Sequence, residues 1–259
     1  MTTYHSVLNN KKKNIGISGG TLKFIAALMM TAYYFAVVII RNGKLYGYVN
    51  EYYQMAIATE EGASWLKLYD FLITFRHFSF PFFAFLLVEG FINTSNFWRY
   101  FLRVFIFAII SEVPFDLCMF NRTYNWELQN PMFTLALSLL VMHFMYKWRK
   151  NIGLKWLSVI IGAGIAYYGR LQFGLVGVVS IALMYNFHKE KILQIISGAL
   201  VTAIGSVSSC FFPVLCFIPI WFYDGYRGRF NTKWLYYIYY PLHLTVFYMM
   251  IYIGAMITV

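Results

Sequence analysis

The chain has 259 residues, of which 60% are hydrophobic, 21% aromatic and 12% charged, and its formal net charge is +11. A soluble domain has about 45–50% apolar and about 25% charged residues, so this composition excludes an ordinary soluble protein. The positive charge does not indicate nucleic-acid binding, because the basic residues concentrate at the ends of apolar runs, where orientation in a membrane requires them. Three cysteines without a CxxC pair and without zinc-type spacing are expected to be core thiols, and nothing calls for a metal.

Apolar runs of spanning length recur along the chain, and a membrane-spanning helix needs about 20 such residues. We therefore predict an all-α, polytopic membrane protein of about nine transmembrane helices that forms one domain over residues 1–259. A polar segment, 1–20, precedes the first helix, and a loop, 41–68, follows it. The region 192–223 could form either two spans or one long broken helix. The predicted spans are 21–40, 69–92, 99–117, 131–148, 152–169, 171–187, 192–207, 209–223 and 234–257.

The distribution of cations predicts the orientation. With nine spans, one side of the membrane receives fifteen of the 21 Lys and Arg residues, the other side receives five, and Arg76 lies within the membrane. The positive-inside rule then places the N-terminal segment in the cytoplasm, and the 41–68 loop and the C-terminus outside. Merging the region 192–223 into one span would move Arg227, Arg229 and Lys233 outward, so two spans are favoured.

Charged residues occur inside the predicted spans. Arg76 and His77 lie in the outer half of the second span, and Glu112 and Asp116 lie in the outer half of the third, on either side of Pro114. Ionisable groups within a membrane are costly unless they face a partner or a water-filled cavity, and they usually mark a site. We expect an outward-opening polar pocket in which Arg76 or His77 pairs with one of the two carboxylates. Salt bridges that only hold the helices together are the alternative.

Seven segments resemble, in the same order, the TraX family of membrane proteins. They are LKFIAALMM from Leu22, FSFPFFAFLLVEGF from Phe78, YFLRVFIFAIISEVPFDL from Tyr100, NPMFTLAL from Asn130, FGLVGV from Phe173, YDGYRG from Tyr223 and YYIYYPLHL from Tyr236. The family is named for N-terminal acetylation of conjugative pilin, and it is similar to multi-span acyltransferases. The resemblance implies a bacterial inner-membrane protein that uses cytoplasmic acyl-CoA, with acetyl-CoA expected. It also implies a peptide, glycan or lipid acceptor and a membrane-protein partner, in addition to the lipid bilayer. It implies no nucleic acid.

The sequence departs from the family pattern at three polar positions. Tyr33 and Tyr34 stand where the family has an Asp-His pair, His77 stands at the family's arginine with Arg76 beside it, and Gln172 replaces an acidic residue. A tyrosine hydroxyl is a poor base at neutral pH. One interpretation is that another histidine has become the base. The other is that catalysis is lost and the chain is an immunity, accessory or partner-binding membrane protein. A transporter is a third reading, suggested by the polar cluster.

The enzymatic interpretation assigns each role to named residues. Acyl transfer needs a base, donors for the oxyanion and cations for the CoA phosphates. His77 is the first choice for the base and His243 the second, and Glu112 or Asp116 would orient the imidazole. Arg76 would stabilise charge, while Tyr33 and Tyr34 would donate hydrogen bonds, and the phosphates would be bound by Arg99, Arg103, Arg227 and Arg229. This interpretation predicts a channel from the basic inner face to His77 or His243.

Overall fold

The computed structural model describes residues 16–205, 212–226, 228 and 233–257, and this part of the chain is helical throughout, without a β-strand. Two isolated bridges, Ile17–Tyr223 and Gln129–Leu171, join loops. The helices are α1 Gly19–Tyr34, continued by a π-helix Phe35–Lys44, then α2 Asn50–Ile57, α3 Glu60–Ile73, α4 Arg76–Ile92, α5 Phe97–Phe120, α6 Pro131–Lys147, α7 Ile152–Tyr168, α8 Gly174–Asn186, α9 Lys191–Gly205, a 3-10 helix Phe212–Cys216, α10 Phe217–Trp221 and α11 Lys233–Ile257.

The all-α prediction is confirmed, but three predicted segments differ. The predicted span 69–92 is interrupted at residues 74 and 75, between α3 and α4. The 41–68 stretch is largely helical rather than a plain loop. Helix α3 begins there because Thr59 accepts a hydrogen bond from the Gly62 amide and two glutamates occupy the first turn. The predicted span 209–223 contains only a 3-10 turn and the five-residue α10 within its described part. Pro213 and Pro219 each lack the backbone donor that a regular helix needs.

The cap residues of the long helices are readable in the sequence. Asn96 accepts a hydrogen bond from the amide of Arg99 at the start of α5, and Asn151 accepts one from Leu154 at the start of α7. Asn130 does the same for Met132, and Pro131 follows it as the first residue of α6. Asparagine at this position and proline after it are both favoured because the first helical amides have no partner within the helix.

The contacts between helices define two opposite ends of the bundle. Helix α1 packs against α4, α5 packs between α6 and α11, and α6, α7, α8 and α9 follow one another in space. The starts of α1 and α9 lie at one end, because the Ile17 amide donates to Phe222 and the Lys191 ammonium donates to the Tyr223 carbonyl. We call this the Lys23 end, and we call the end where α4 begins the Arg76 end. Residues 191 and 223 thus lie at the same end of the bundle, which favours two predicted spans over one long broken helix between them.

The surface is apolar and the interior contains polar side chains. Ile160 of α7, Leu200 of α9 and Ile253 of α11 are among many exposed large apolar residues, whereas Gln172 and Asn130 are fully buried. A soluble monomer rarely exposes large contiguous apolar patches. The helical stretches Gly19–Lys44 and Glu60–Ile92 are long and apolar enough to cross a membrane. This distribution supports a membrane protein.

The π-helix that continues α1 brings a polar side chain into the bundle. The Leu45 amide donates to the Ile40 carbonyl at 2.9 Å, five residues back. Asn42 is 3% exposed, and its amide donates to the Cys118 carbonyl at 2.9 Å near the end of α5. The Tyr48 hydroxyl donates to the same carbonyl at 2.8 Å. These bonds satisfy a carbonyl that the end of an α-helix leaves without a partner.

Candidate functional site

A cavity of about 540 Å³ runs between α1, α4, α5, α6 and α11. Helix α4 lines it from its first residue, Arg76, to Asn93 at its C-cap, a distance of about 25 Å at 1.5 Å per residue. The cavity therefore connects the Arg76 end of the bundle with the Lys23 end. The polarity and charge of its lining residues change along this path.

The Lys23 end of the cavity carries three cations. Lys23, Arg99 and Arg103 line it, together with one acidic side chain, Glu89. The Arg103 guanidinium lies 5.8 Å from the ring centroid of Trp234, and its Nε has no hydrogen-bond partner among the described residues. Lysine and arginine side chains suit phosphate groups, which accept charge-assisted hydrogen bonds from them.

Apolar side chains line the middle of the cavity. Phe83, Leu86 and Leu87 of α4 face Val104 of α5 and Leu135 of α6 across this section. An apolar passage between two polar ends fits an amphiphilic molecule, because its apolar part is removed from water here.

The Arg76 end combines one cation with uncharged polar groups. Arg76, Tyr33, Tyr34, Gln172 and Tyr240 line it. The hydroxyls of Tyr34 and Tyr240 lie 2.9 Å apart. The Tyr33 hydroxyl interacts with the Gln172 side chain and with the charge of Arg76. Most of these groups can donate hydrogen bonds, so this end can stabilise negative charge that develops on a bound molecule.

The loop that carries Gln172 is fixed by backbone hydrogen bonds. The Gln172 amide donates to the Gln129 carbonyl at 3.0 Å, and the Gln129 amide donates to the Arg170 carbonyl at 3.0 Å. The Thr134 hydroxyl donates to the Gln172 carbonyl. Phe173 follows in the left-handed region with a φ of 66°, and its ring stacks on Phe80 at a centroid distance of 4.1 Å. A left-handed backbone at a bulky residue is unfavourable and is retained where the surroundings enforce it.

Neither histidine predicted as a base is among the residues that line the cavity. His243 lies behind the wall, with its ring 5.5 Å from that of Tyr34. Its Nδ1 donates to the Tyr239 carbonyl at 2.8 Å, and its Nε2 is buried without a hydrogen-bond partner among the described residues. His77 lies outside the lining as well, with its ring 6.5 Å from that of Phe173. A base must come within hydrogen-bond reach of the proton that it removes.

Glu112 and Asp116 bind the chain next to them instead of Arg76 or His77. Glu112 accepts hydrogen bonds from the backbone and side-chain amides of Asn130, and Asp116 accepts one from the Asn125 amide at 2.8 Å. Within the described part of the chain, no ion pair joins these carboxylates to Arg76 or His77, so the expected pairing was wrong. The sequence could not reveal this, because the partners are backbone amides of a loop that folds back onto α5.

The remaining predicted residues fall into two groups. Arg99 and Arg103 line the cavity as expected of phosphate-binding residues, whereas Arg227 and Arg229 lie outside the described residues. Several lining residues had been given no role in the site, among them Lys23, Gln172 and Tyr240. Tyr240 lies one turn before His243 on α11, a spacing that could have indicated a shared region. Among the described residues, no group of three or more His, Cys, Asp and Glu side chains could hold a metal ion.

Residues 18–251 match a protein family described as "TraX protein". The chain belongs to the TraX family. The resemblance read from the ordered segments is therefore confirmed. The chain is also similar to "Probable fimbrial assembly protein FimC, serogroup H1" of Dichelobacter nodosus, with 26% identity over 90% of this chain and 96% of that protein. No solved structure matches this chain at a significant level.

Proposed function

We propose that this TraX-family protein is a membrane-embedded acyltransferase that moves an acetyl or similar acyl group from CoA to an amine on an extracytoplasmic or membrane-bound acceptor. One observation carries the proposal. A single cavity joins a cationic end at Lys23, Arg99 and Arg103 to an end rich in hydrogen-bond donors, through an apolar passage. That sequence of environments matches an acyl-CoA, which has an anionic nucleotide, a long arm and a reactive thioester.

The orientation of the bound molecule follows from charge. The CoA phosphates would lie at the Lys23 end, and the thioester would lie near Arg76, Tyr33 and Tyr34. The positive-inside rule puts the Lys23 end at the cytoplasmic face, where acyl-CoA is available. We propose nine crossings of the bacterial inner membrane, the segment 212–221 completing the eighth. The similarity to a fimbrial assembly protein favours a pilus or fimbrial component as the acceptor or partner.

The acceptor class follows from the groups at the Arg76 end. Among the described residues that line this end there is no carboxylate, imidazole or thiol. A hydroxyl acceptor must lose its proton to a base, whereas a neutral amine has a lone pair that attacks directly. The nitrogen would bond to the thioester carbon, the carbonyl oxygen would become an oxyanion, and the C–S bond would then break. The products are an amide and CoA, whose thiol takes the proton that the amine loses.

Arg76, Tyr33 and Tyr34 would supply the donors for the oxyanion. Such donors act strongly in a site that excludes water, and removal of one costs about 10²–10³ in turnover. Neither His77 nor His243 has a direct role in this scheme, since neither lines the cavity. His243 packs behind Tyr34 and supports that ring.

The test uses purified protein in lipid nanodiscs with labelled acetyl-CoA, and butylamine as a surrogate acceptor. Arg103→Gln should weaken acetyl-CoA binding about tenfold or more, and Arg122→Gln, at an exposed cation that does not line the cavity, should not. Arg76→Gln should retain acetyl-CoA binding and lower the formation of N-butylacetamide by at least tenfold. If the protein does not bind acetyl-CoA, or if Arg103→Gln and Arg122→Gln are equivalent, the proposal is wrong.

A second function is favoured by the position of the histidines. A TraX-family member that has lost catalysis would bind an acyl-CoA or another anionic amphiphile in the same cavity and act as an accessory or immunity protein. That function predicts acetyl-CoA binding that depends on Arg103, without release of CoA in the presence of butylamine. The same assay therefore separates the two functions.

A further inference from the structure

We propose that Gln172 positions the attacking amine of the acceptor, by accepting a hydrogen bond from its N–H group. The inference rests on the proposed acyl transfer and adds a residue to which no role had been assigned. The supporting observation is a buried hydrogen-bond acceptor without a partner. Gln172 is 1% exposed, it lines the cavity, and its Oε1 has no hydrogen-bond partner among the described residues.

An unsatisfied buried acceptor costs free energy, and nearly all buried polar side-chain atoms in proteins have a partner. Gln172 Oε1 differs from the unpartnered atom of Gln194 in that its side chain lines the cavity, so a bound substrate can supply the partner. The partner must be a donor, since Oε1 can only accept. An amine N–H meets this requirement, and the thioester does not, because its oxygen and sulfur carry no hydrogen.

The neighbours of Gln172 offer the complementary groups. The Nε of Arg76 is buried without a hydrogen-bond partner among the described residues, and the Tyr33 hydroxyl interacts with both Arg76 and Gln172. The tetrahedral intermediate of aminolysis presents an oxyanion and an N–H group on the same carbon centre. Arg76 and Tyr33 would donate to the oxyanion while Gln172 accepts from the nitrogen. One unpaired acceptor and one unpaired donor at the same end of the cavity fit these two groups.

The backbone holds Gln172 in place before any substrate binds. Its amide and carbonyl are both bonded, to the Gln129 carbonyl and the Thr134 hydroxyl, and Phe173 is held against Phe80. A fixed acceptor orients the nucleophile without further ordering, which is how positioning raises a rate.

The experiment compares Gln172→Leu with Gln194→Leu. Gln194 of α9 is a matched control, because it is 3% exposed, also carries an unpartnered amide atom and does not line the cavity. Acetyl transfer to butylamine is measured in nanodiscs. Gln172→Leu should raise the KM for butylamine about tenfold, as loss of one good hydrogen bond would. The Kd of acetyl-CoA, whose phosphates bind at the other end of the cavity, should stay within about twofold of wild type. Gln194→Leu should change none of these values.

A second measurement does not depend on turnover. Wild-type protein should bind the product N-butylacetamide about tenfold more tightly than Gln172→Leu. Gln172→Met, which keeps the length of the side chain without its amide oxygen, should also slow transfer, and it serves if Gln172→Leu does not fold. Equal effects of the substitutions at 172 and 194 overturn the role of Gln172 while transfer by the wild type stands. Amide binding that depends on Gln172, without transfer by the wild type, overturns the proposed function instead. Absence of both overturns both.

Discussion

The hydroxyls of Tyr34 and Tyr240 lie 2.9 Å apart and join α1 to α11 in the wall of the cavity. Both side chains are almost fully buried, at 2% and 4% exposure, and their rings meet edge to face at a centroid distance of 6.0 Å. One hydroxyl therefore donates to the other, and the proton of the accepting hydroxyl stays available for a bound molecule. The two helices that carry the candidate site are thus tied together by the polar atoms of the site itself.

This pair predicts a non-additive pattern in stability. Tyr34→Phe or Tyr240→Phe alone leaves one buried hydroxyl without its partner and should lower the free energy of unfolding by about 1 kcal/mol. The double substitution should cost no more than either single one, because it removes both polar atoms. Unfolding in mixed micelles measures all three. Tyr252→Phe, at an exposed tyrosine of α11, is the control and should change nothing. Additive losses would contradict a direct bond.

The contacts of Asn130 predict a large effect at one helix cap. Asn130 caps α6, donates to the Ala108 carbonyl at 2.8 Å and bonds to Glu112. Asn130→Ala removes all of these interactions in a buried place, so the loss of unfolding free energy should exceed the usual ~1 kcal/mol for a cap. Asn151→Ala is the matched control, since Asn151 caps α7 at the exposed surface. Thermal unfolding of both variants tests this, and equal losses would show that Glu112 adds nothing.

Gly90 predicts a change in ligand binding without loss of stability. A Cβ at this position would lie 2.6 Å from the Tyr100 hydroxyl, and both residues line the cavity near the Lys23 end. Gly90→Ala should displace Tyr100 and weaken acetyl-CoA binding severalfold, although alanine favours the helix by about 1 kcal/mol. Gly164→Ala is the control, because nothing lies within 4 Å of its added Cβ. Binding titrations decide the matter: unchanged affinity for Gly90→Ala would place the ligand elsewhere.

The proposed orientation is testable by cysteine labelling. Arg122 follows α5 and Lys150 follows α6, so the two positions should lie on opposite sides of the membrane. In spheroplasts, Arg122→Cys should react with a membrane-impermeant maleimide, and Lys150→Cys should react only after lysis. The native Cys118 and Cys216 are buried and should contribute little background, and Cys210, which lies outside the described residues, is replaced by serine in both variants. The reverse pattern would invert the topology, and it would move the cationic Lys23 end to the outside.

Much of the fold could be predicted because the bilayer limits the options. Long apolar runs located α5 and α6 within a few residues, and the caps Asn96 and Asn130 show in the sequence where each helix begins. Residues 191 and 223 lie at one end of the bundle, in agreement with the cation count that favoured two spans between them. Helix α3, Glu60–Ile73, was not predicted because its residues are mixed in polarity. Thr59 as the N-cap and the acidic first turn are nevertheless signals of a helix start.

The site was predictable only in part. The position of a residue along a spanning helix gives its depth in the membrane, but not the direction in which its side chain points. Arg76, Tyr33 and Tyr34 were placed near one another by depth, and they do line one cavity. Glu112 has a comparable depth, yet its partner is Asn130. His243 turns toward Tyr239 and away from the space that Tyr34 borders. These differences depend on helix rotation, which the sequence of an apolar helix with little amphipathic pattern does not specify.

The π-helix at Phe35–Lys44 has a consequence for how the first helix can vary in length. Its hydrogen bonds reach back one residue further than those of an α-helix, so the segment holds an extra residue in the turns between Tyr34 and Asn42. If one residue is deleted there, the segment can return to α-helical geometry. Tyr33 and Tyr34 before it and the Asn42 contact after it would then keep their positions. A variant of this chain with one residue fewer between Tyr34 and Asn42 should therefore keep its fold, unlike one with a residue removed from a regular α-helix.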